Sequence, residues 1–158
     1  VKNLSPEIQP VGVFVNASME LIRSLLDDGT LAMAQLHGQE NESYIAELKA
    51  HTDKPVIKAF SIKTEEDVKS AIRSEADYIL LDQGSGGTGE TFDWNLVPAI
   101  KRPWFLAGGL GCDNLETAIK MLHPWAADLS SSVETDGHKD PDKIAKAVQT
   151  VRNIKEEI

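Results

Sequence analysis

The chain has 158 residues, 41% hydrophobic and 26% charged, a globular composition that excludes a disordered or collagen-like protein. Its length fits a single domain, 1–158, that buries roughly two-thirds of its unfolded surface. A formal net charge of -9 argues against a nucleic-acid partner, which needs a basic face, while leaving room for a small anion held by backbone N–H groups. No apolar run approaches the ~20 residues of a membrane span, so no membrane partner is expected. The opening Val1-Lys2-Asn3-Leu4-Ser5-Pro6 holds no signal-peptide core, and Val1 need not be the natural start. The single cysteine, Cys112, allows no internal disulfide; together these features predict a cytoplasmic protein.

Short apolar runs alternate with amphipathic stretches. Val11–Val15 is nearly all apolar, which predicts a strand buried on both faces. Ser18 then caps a helix carrying Leu21, Ile22, Leu25 and Leu26 and closed by Gly29. Ala34–Gly38 reads as a second strand, followed by a helix facing inward with Tyr44, Ile45 and Leu48. Lys54–Phe60 is the third strand, and Thr64 caps a helix whose Glu65, Glu66 and Asp67 suit the positive end of its dipole. Ala76–Asp82 is the fourth strand. A short helix near Asn95–Ile100 precedes a fifth strand, Pro103–Gly109, and a helix over Asn114–Leu122. Ala126–Ser130 is the sixth strand. Asp140-Pro141 opens the last helix, with Ile144, Ala147, Val148 and Val151 at inward spacing.

Strand-then-helix alternation means a parallel sheet with helices outside it, in either an open doubly wound or a barrel form. Both place ligand chemistry at the C-terminal ends of the strands. Asp82 ends the fourth strand, where a carboxylate reads as a general acid or as a plain turn residue. The glycine-rich Gly84–Gly89 that follows lacks the Gly-Lys-Ser/Thr of a nucleotide loop. Gly108-Gly109 ends the fifth strand and Asp128-Leu129-Ser130-Ser131-Ser132 the sixth. Glycines after one strand and serines after the next fit the barrel habit of binding phosphate in the loops after the last two strands. His37 ends the second strand, where an imidazole contacts either a substrate or a neighbouring loop. Cys112, near a helix start, has no histidine beside it and reads as structural or incidental. His51, His123 and His138 show no paired ligand spacing, so no metal site is expected.

Several segments occur in an order that resembles one family. They are Val11–Asn16, Gln35-Leu36-His37-Gly38, Leu80-Leu81-Asp82, Gly86–Trp94, Leu106–Leu110 and Asp128–Glu134, with Lys139-Asp140-Pro141 entering the last helix. Together they look like phosphoribosylanthranilate isomerase, a (β/α)8 TIM barrel of tryptophan biosynthesis. The resemblance implies an Amadori rearrangement of N-(5'-phosphoribosyl)anthranilate to 1-(2-carboxyphenylamino)-1-deoxyribulose 5-phosphate, with a phosphosugar as ligand and no cofactor. It makes Asp82 the general acid, Gly108 and Gly109 backbone phosphate ligands, and Ser130, Ser131 and Ser132 the rest of the phosphate loop. By the same resemblance, Asp128 is expected to contact a sugar hydroxyl and His37 to lie beside the anthranilate ring.

The family's first strand carries Lys-Ile-Cys-Gly, whose cysteine is the general base, and an arginine follows its second strand. Neither has a counterpart in these residues, and Cys112 follows a different strand. The six strands are therefore read as the family's strands 3–8, without the first two βα units. This chain alone is expected to be inactive, and to self-associate or take a complementing N-terminal segment. Ser132 stands where the family usually has glycine, which either crowds the phosphate loop or adds a hydroxyl to it. Other readings are a catalytically silent phosphate-binding or interaction module and a different phosphosugar isomerase or epimerase barrel. An epimerase would be expected to show metal ligands or an acid pair at its strand ends, which the sequence lacks.

Overall fold

The computed structural model describes residues 4–84 and 90–156, with side chains described to Ile154. The glycine-rich run at Ser85–Gly89 lies outside the described residues. The elements alternate as the sequence predicts: β1 (Val11–Phe14), α1 (Met19–Asp27), β2 (Met33–Leu36), α2 (Glu42–Lys49), β3 (Val56–Ser61), α3 (Glu65–Arg73) and β4 (Tyr78–Asp82). Then follow β5 (Trp104–Leu106), α4 (Leu115–Leu122), β6 (Ala126–Ala127), β7 (Glu134–Thr135), β8 (His138–Lys139) and α5 (Pro141–Glu156). Strands β1 to β6 stand in the sheet in chain order, and the pairs β1–β2, β2–β3 and β5–β6 are parallel.

Helix starts follow local chemistry. Ser18 Oγ accepts from the Leu21 amide and Asn41 Oδ1 from the Tyr44 amide, each satisfying an N–H with no partner in its own helix. Thr64 Oγ1 does the same for Asp67. Asp140 Oδ1 takes the amides of Asp142 and Lys143, and Pro141 needs no acceptor at the first helical position.

Contacts along the chain group it into two compact units, residues 1–60 with 70–80 and residues 61–69 with 81–158. In the first unit the register sets two faces. Gly12, Ala34 and Val56 share one row and Phe14, Leu36 and Lys58 another, both on one face; Val13, Gln35 and Ile57 lie on the opposite face. Phe14, Ala34, Leu36 and Val56 pack with Ile22 and Leu26 of α1 and Ile45 and Leu48 of α2. Burying one such side chain stabilises the fold by about 1.5–3 kcal/mol.

The reading of Val11–Val15 as buried on both faces is corrected. Val11, Val13 and Val15 are exposed, Val13 at 61% and Val15 at 66%, while Phe14 between them is buried. The physical reason is the period of two: Phe14 takes the helix-covered face, and Val11 and Val13 take the opposite face, which is buried at Gln35 and Ile57 but open at β1.

In the second unit Trp104 and Leu106 are buried, and the rings of Phe105 and Trp125 meet edge to face at 5.5 Å. The helix expected near Asn95–Ile100 is one 3-10 turn, Trp94–Leu96, capped by Asp93 Oδ1 on the Asn95 amide. Pro98 has no N–H to continue it. The sixth strand is shorter than expected, because Ser131–Val133 turns into a 3-10 helix. Of the residues expected to face inward on α5, Ala147 is buried, but Ile144 and Val148 are exposed. The helix seats itself on Ala147 and Ile154 instead, seven residues apart and so on one face.

Candidate active site

The predicted site residues fall at strand ends of both units. In the second unit, Asp82 closes β4 and its carbonyl oxygen accepts the Ile62 amide at 2.8 Å. Its carboxylate lies against Gly108: a Cβ on Gly108 would come within 2.6 Å of Asp82 Oδ1 and of the Gln83 amide nitrogen. Gly108 also has φ +80°, a conformation that L side chains rarely adopt. The turn after β5 is thus glycine because the carboxylate occupies the space a side chain would need.

Asn114 closes this turn. Its Nδ2 donates to the Gly109 carbonyl at 2.9 Å and its Oδ1 accepts the Gly111 amide at 2.8 Å. The sequence places Asn114 only at a helix start; in the structure its side chain makes no cap bond to α4 and holds the glycine turn instead. The amides of Gly108 and Gly109 donate to no described residue.

The serine turn abuts the glycine turn. A Cβ on Gly111 would lie 3.4 Å from Ser132 Cβ, and Ser132 Oγ is out of contact with solvent and has no partner among the described residues. Ser131 and Ser132 supply the first N–H groups of a 3-10 turn, which have no acceptor within it. Lys139 Nζ, donating to the Ser130 carbonyl at 3.0 Å and to Glu134 Oε1 at 2.7 Å, anchors the turn to the β7–β8 hairpin. Asp128 follows β6, with its amide on the Leu106 carbonyl at 2.8 Å. The second unit therefore brings Asp82, the glycine turn and the serine turn into sequence-distant contact. Cys112 sits between Gly111 and Asn114 of the glycine turn, its thiol 3.8 Å from the Lys143 carbonyl oxygen. No group of histidine, cysteine, aspartate or glutamate among the described residues is arranged to hold a metal ion.

In the first unit, His37 follows β2 and its amide donates to the Phe14 carbonyl at 2.7 Å. Its Nδ1 lies 2.8 Å from Oε1 of buried Gln35, two residues back on the same face. The sequence reading misses what stands behind it. Lys58 and Glu40, with side chains only 7% and 2% exposed, form an ion pair at 3.1 Å. Burial alone would raise the Glu40 carboxyl. The backbone amides of Glu40 itself and of Asn16, with the Lys58 ammonium, outweigh that and hold it below its ordinary 4.5. A lysine inside the apolar run Val56-Ile57-Lys58-Ala59-Phe60 was the one signal available.

A parallel α/β chain with its polar groups gathered at strand ends belongs to the class that binds ligands there. The sequence profile described as PRAI, N-(5'phosphoribosyl)anthranilate (PRA) isomerase, matches residues 1–150. An N-(5'-phosphoribosyl)anthranilate isomerase of Endomicrobium trichonymphae is 46% identical over 155 residues, covering 96% of this chain and 76% of the relative. The crystal structure of phosphoribosyl anthranilate isomerase from Thermus thermophilus superposes with a TM-score of 0.83 at 30% identity, covering 97% of this chain and 76% of that one. A further isomerase, solved in complex with reduced 1-(o-carboxyphenylamino)-1-deoxyribulose 5-phosphate, gives 0.80 at 33% identity, over 96% and 75%. This chain belongs to the N-(5'-phosphoribosyl)anthranilate isomerase family.

Proposed function

We infer that the protein isomerises N-(5'-phosphoribosyl)anthranilate to 1-(2-carboxyphenylamino)-1-deoxyribulose 5-phosphate, a step of tryptophan biosynthesis carried out in the cytoplasm. Asp82 donates a proton to the furanose ring oxygen; the C1–O bond breaks and the nitrogen lone pair forms the Schiff base. A base then removes the C2 proton, and the electron pair passes through an enolamine that tautomerises to the ketone. Gly108 and Gly109 amides and the Ser130–Ser132 turn hold the phosphate, with Ser132 Oγ as an added hydroxyl. Asp128 holds a sugar hydroxyl and His37 lies beside the anthranilate ring. The observation that carries this reading is the approach of the Asp82 carboxylate to Gly108, in the turn whose Gly111 meets Ser132.

The same reading takes the six sheet strands as the family's strands 3–8. Within residues 1–158 the single cysteine is Cys112, engaged with the Lys143 carbonyl, and it is not the base. Residues 1–158 by themselves therefore do not turn over. The exposed valines of β1, which pairs with β2 alone among the described residues, receive either a complementing N-terminal segment or a second copy.

Two measurements test this. Purified 1–158 is assayed alone and with the N-terminal quarter of a family member added in trans; activity only in the mixture is expected, and normal turnover by the chain alone would refute the missing base. In the active mixture, Asp82→Asn should lower kcat by about a hundredfold to ten-thousandfold while the reduced product analogue still binds. Turnover within tenfold of the parent would remove Asp82 as the acid.

A further inference from the structure

The Lys58–Glu40 pair sits where a buried charge pair needs a reason. Such a pair gives little net stability over apolar residues of similar size. Its hydrogen bonds converge on one short segment. Lys58 Nζ donates to the Leu36 carbonyl at 3.3 Å and to the Gly38 carbonyl at 2.7 Å, the two carbonyls on either side of His37. Glu40 Oε2 accepts the Gly38 amide at 2.9 Å, and Oε1 accepts the Asn16 amide at 2.7 Å. Asn16, held at φ +51°, returns its Oδ1 to the Gln39 amide at 2.8 Å. With the His37 amide on Phe14, the backbone on both sides of His37 is fixed by groups from β1, β3 and its own loop.

The register explains how the pair acts without touching the imidazole. Lys58 extends the row of Phe14 and Leu36, on the helix-covered face, and its ammonium reaches the carbonyls at the row's end. His37 shares the opposite face with Gln35. A Cβ on Gly38 would come within 2.7 Å of the Asn16 amide nitrogen, so the loop is pressed against β1's end.

We propose that Lys58 and Glu40 are positioning residues whose task is to fix the orientation of the His37 ring. The link to catalysis rests on the reading of His37 as the residue beside the anthranilate ring; the clamp itself does not.

The test is nitrogen-15 NMR of the His37 imidazole, with amide hydrogen exchange at Gly38 and Gln39, on chain 1–158. Lys58→Met should average the ring between states and cut protection of both amides by about tenfold or more, the worth of one charge-assisted bond. Lys49→Met, which removes the exposed Lys49–Asp77 pair, should change neither. Should Lys58→Met fail to fold, Lys58→Met with Glu40→Met leaves no unpaired buried charge and keeps the volume filled. A His37 ring signal unchanged in that folded double variant overturns the proposal. The double variant should also bind the reduced product analogue at least about tenfold more weakly and inorganic phosphate as before. His37→Ala with unchanged analogue affinity would defeat the reading of His37 alone, and the ring signal would still decide the clamp.

Discussion

The two units present their strand ends in opposite ways. In the first, the segment around His37 is held by side chains: a buried ion pair and an asparagine take up its backbone groups. In the second, the turns after β5 and β6 leave amides open, and one asparagine holds the glycine turn from behind. A backbone whose N–H groups are used internally can only display a side chain. A backbone whose N–H groups are free can bind an anion directly. The difference is one of display: the first unit presents a side chain and the second presents backbone amides.

Four substitutions, one of them read by acid titration, test the contrast. The largest effect on stability belongs to the first unit. Lys58→Met strands a buried carboxylate and should cost about 3–5 kcal/mol in urea unfolding. In the second unit, Gly108→Ala is opposed by both the left-handed backbone and the Asp82 carboxylate. It should cost about 1–2 kcal/mol from conformation alone, with a further loss as Asp82 is displaced. A loss below half a kcal/mol would show that the turn relaxes and that the carboxylate is not held there. At the small end, Lys49→Met breaks a half-exposed pair at 2.7 Å and should change stability by less than about 1 kcal/mol. Should it match Lys58→Met, burial would not be what sets the first pair apart.

Acid titration reads the Glu40 side of the buried pair. Glu40 is depressed in the folded protein below its ordinary 4.5, so its contribution is present above that value and is lost as pH falls through the folded value. Unfolding free energy should therefore drop below about pH 4.5. Glu40→Gln should flatten that limb, leaving the share of Asp67 and Asp140, whose carboxyls are also lowered. The Lys63 amide is the largest cause for Asp67 and the Thr135 hydroxyl for Asp140. An acid limb unchanged by Glu40→Gln would contradict the bonds assigned to it.

The order of elements was legible because each rests on a local signal. Ser18, Thr64 and Asp140 mark helix starts by chemistry within three residues of themselves, and the structure uses all of them. The placement of Asp82 at the end of β4 and of Gly108 in the turn after β5 was legible for the same reason, whereas Ser132 falls in the 3-10 turn that follows the shortened β6. What escaped the sequence was non-local or very short. Lys58 and Glu40 are 18 positions apart on different elements, and no spacing rule joins them. The β7–β8 hairpin has strands of two residues, too few for alternation to show. Its turn signal, Asp136-Gly137, is present, and both residues adopt positive φ, 51° and 76°. The exposure of Val11, Val13 and Val15 escaped because an apolar run names a strand without naming what covers it.

On the proposed function, the strand ends of the second unit hold an acid beside a phosphate site. A crystal structure of the protein with the reduced product analogue bound tests it most directly. The phosphate is expected against the amides of Gly108, Gly109, Ser131 and Ser132, with Ser132 Oγ donating to it. An Asp82 oxygen is expected within hydrogen-bond reach of the hydroxyl that was the ring oxygen. A phosphate bound elsewhere, or an Asp82 carboxylate turned away from that hydroxyl, would contradict it.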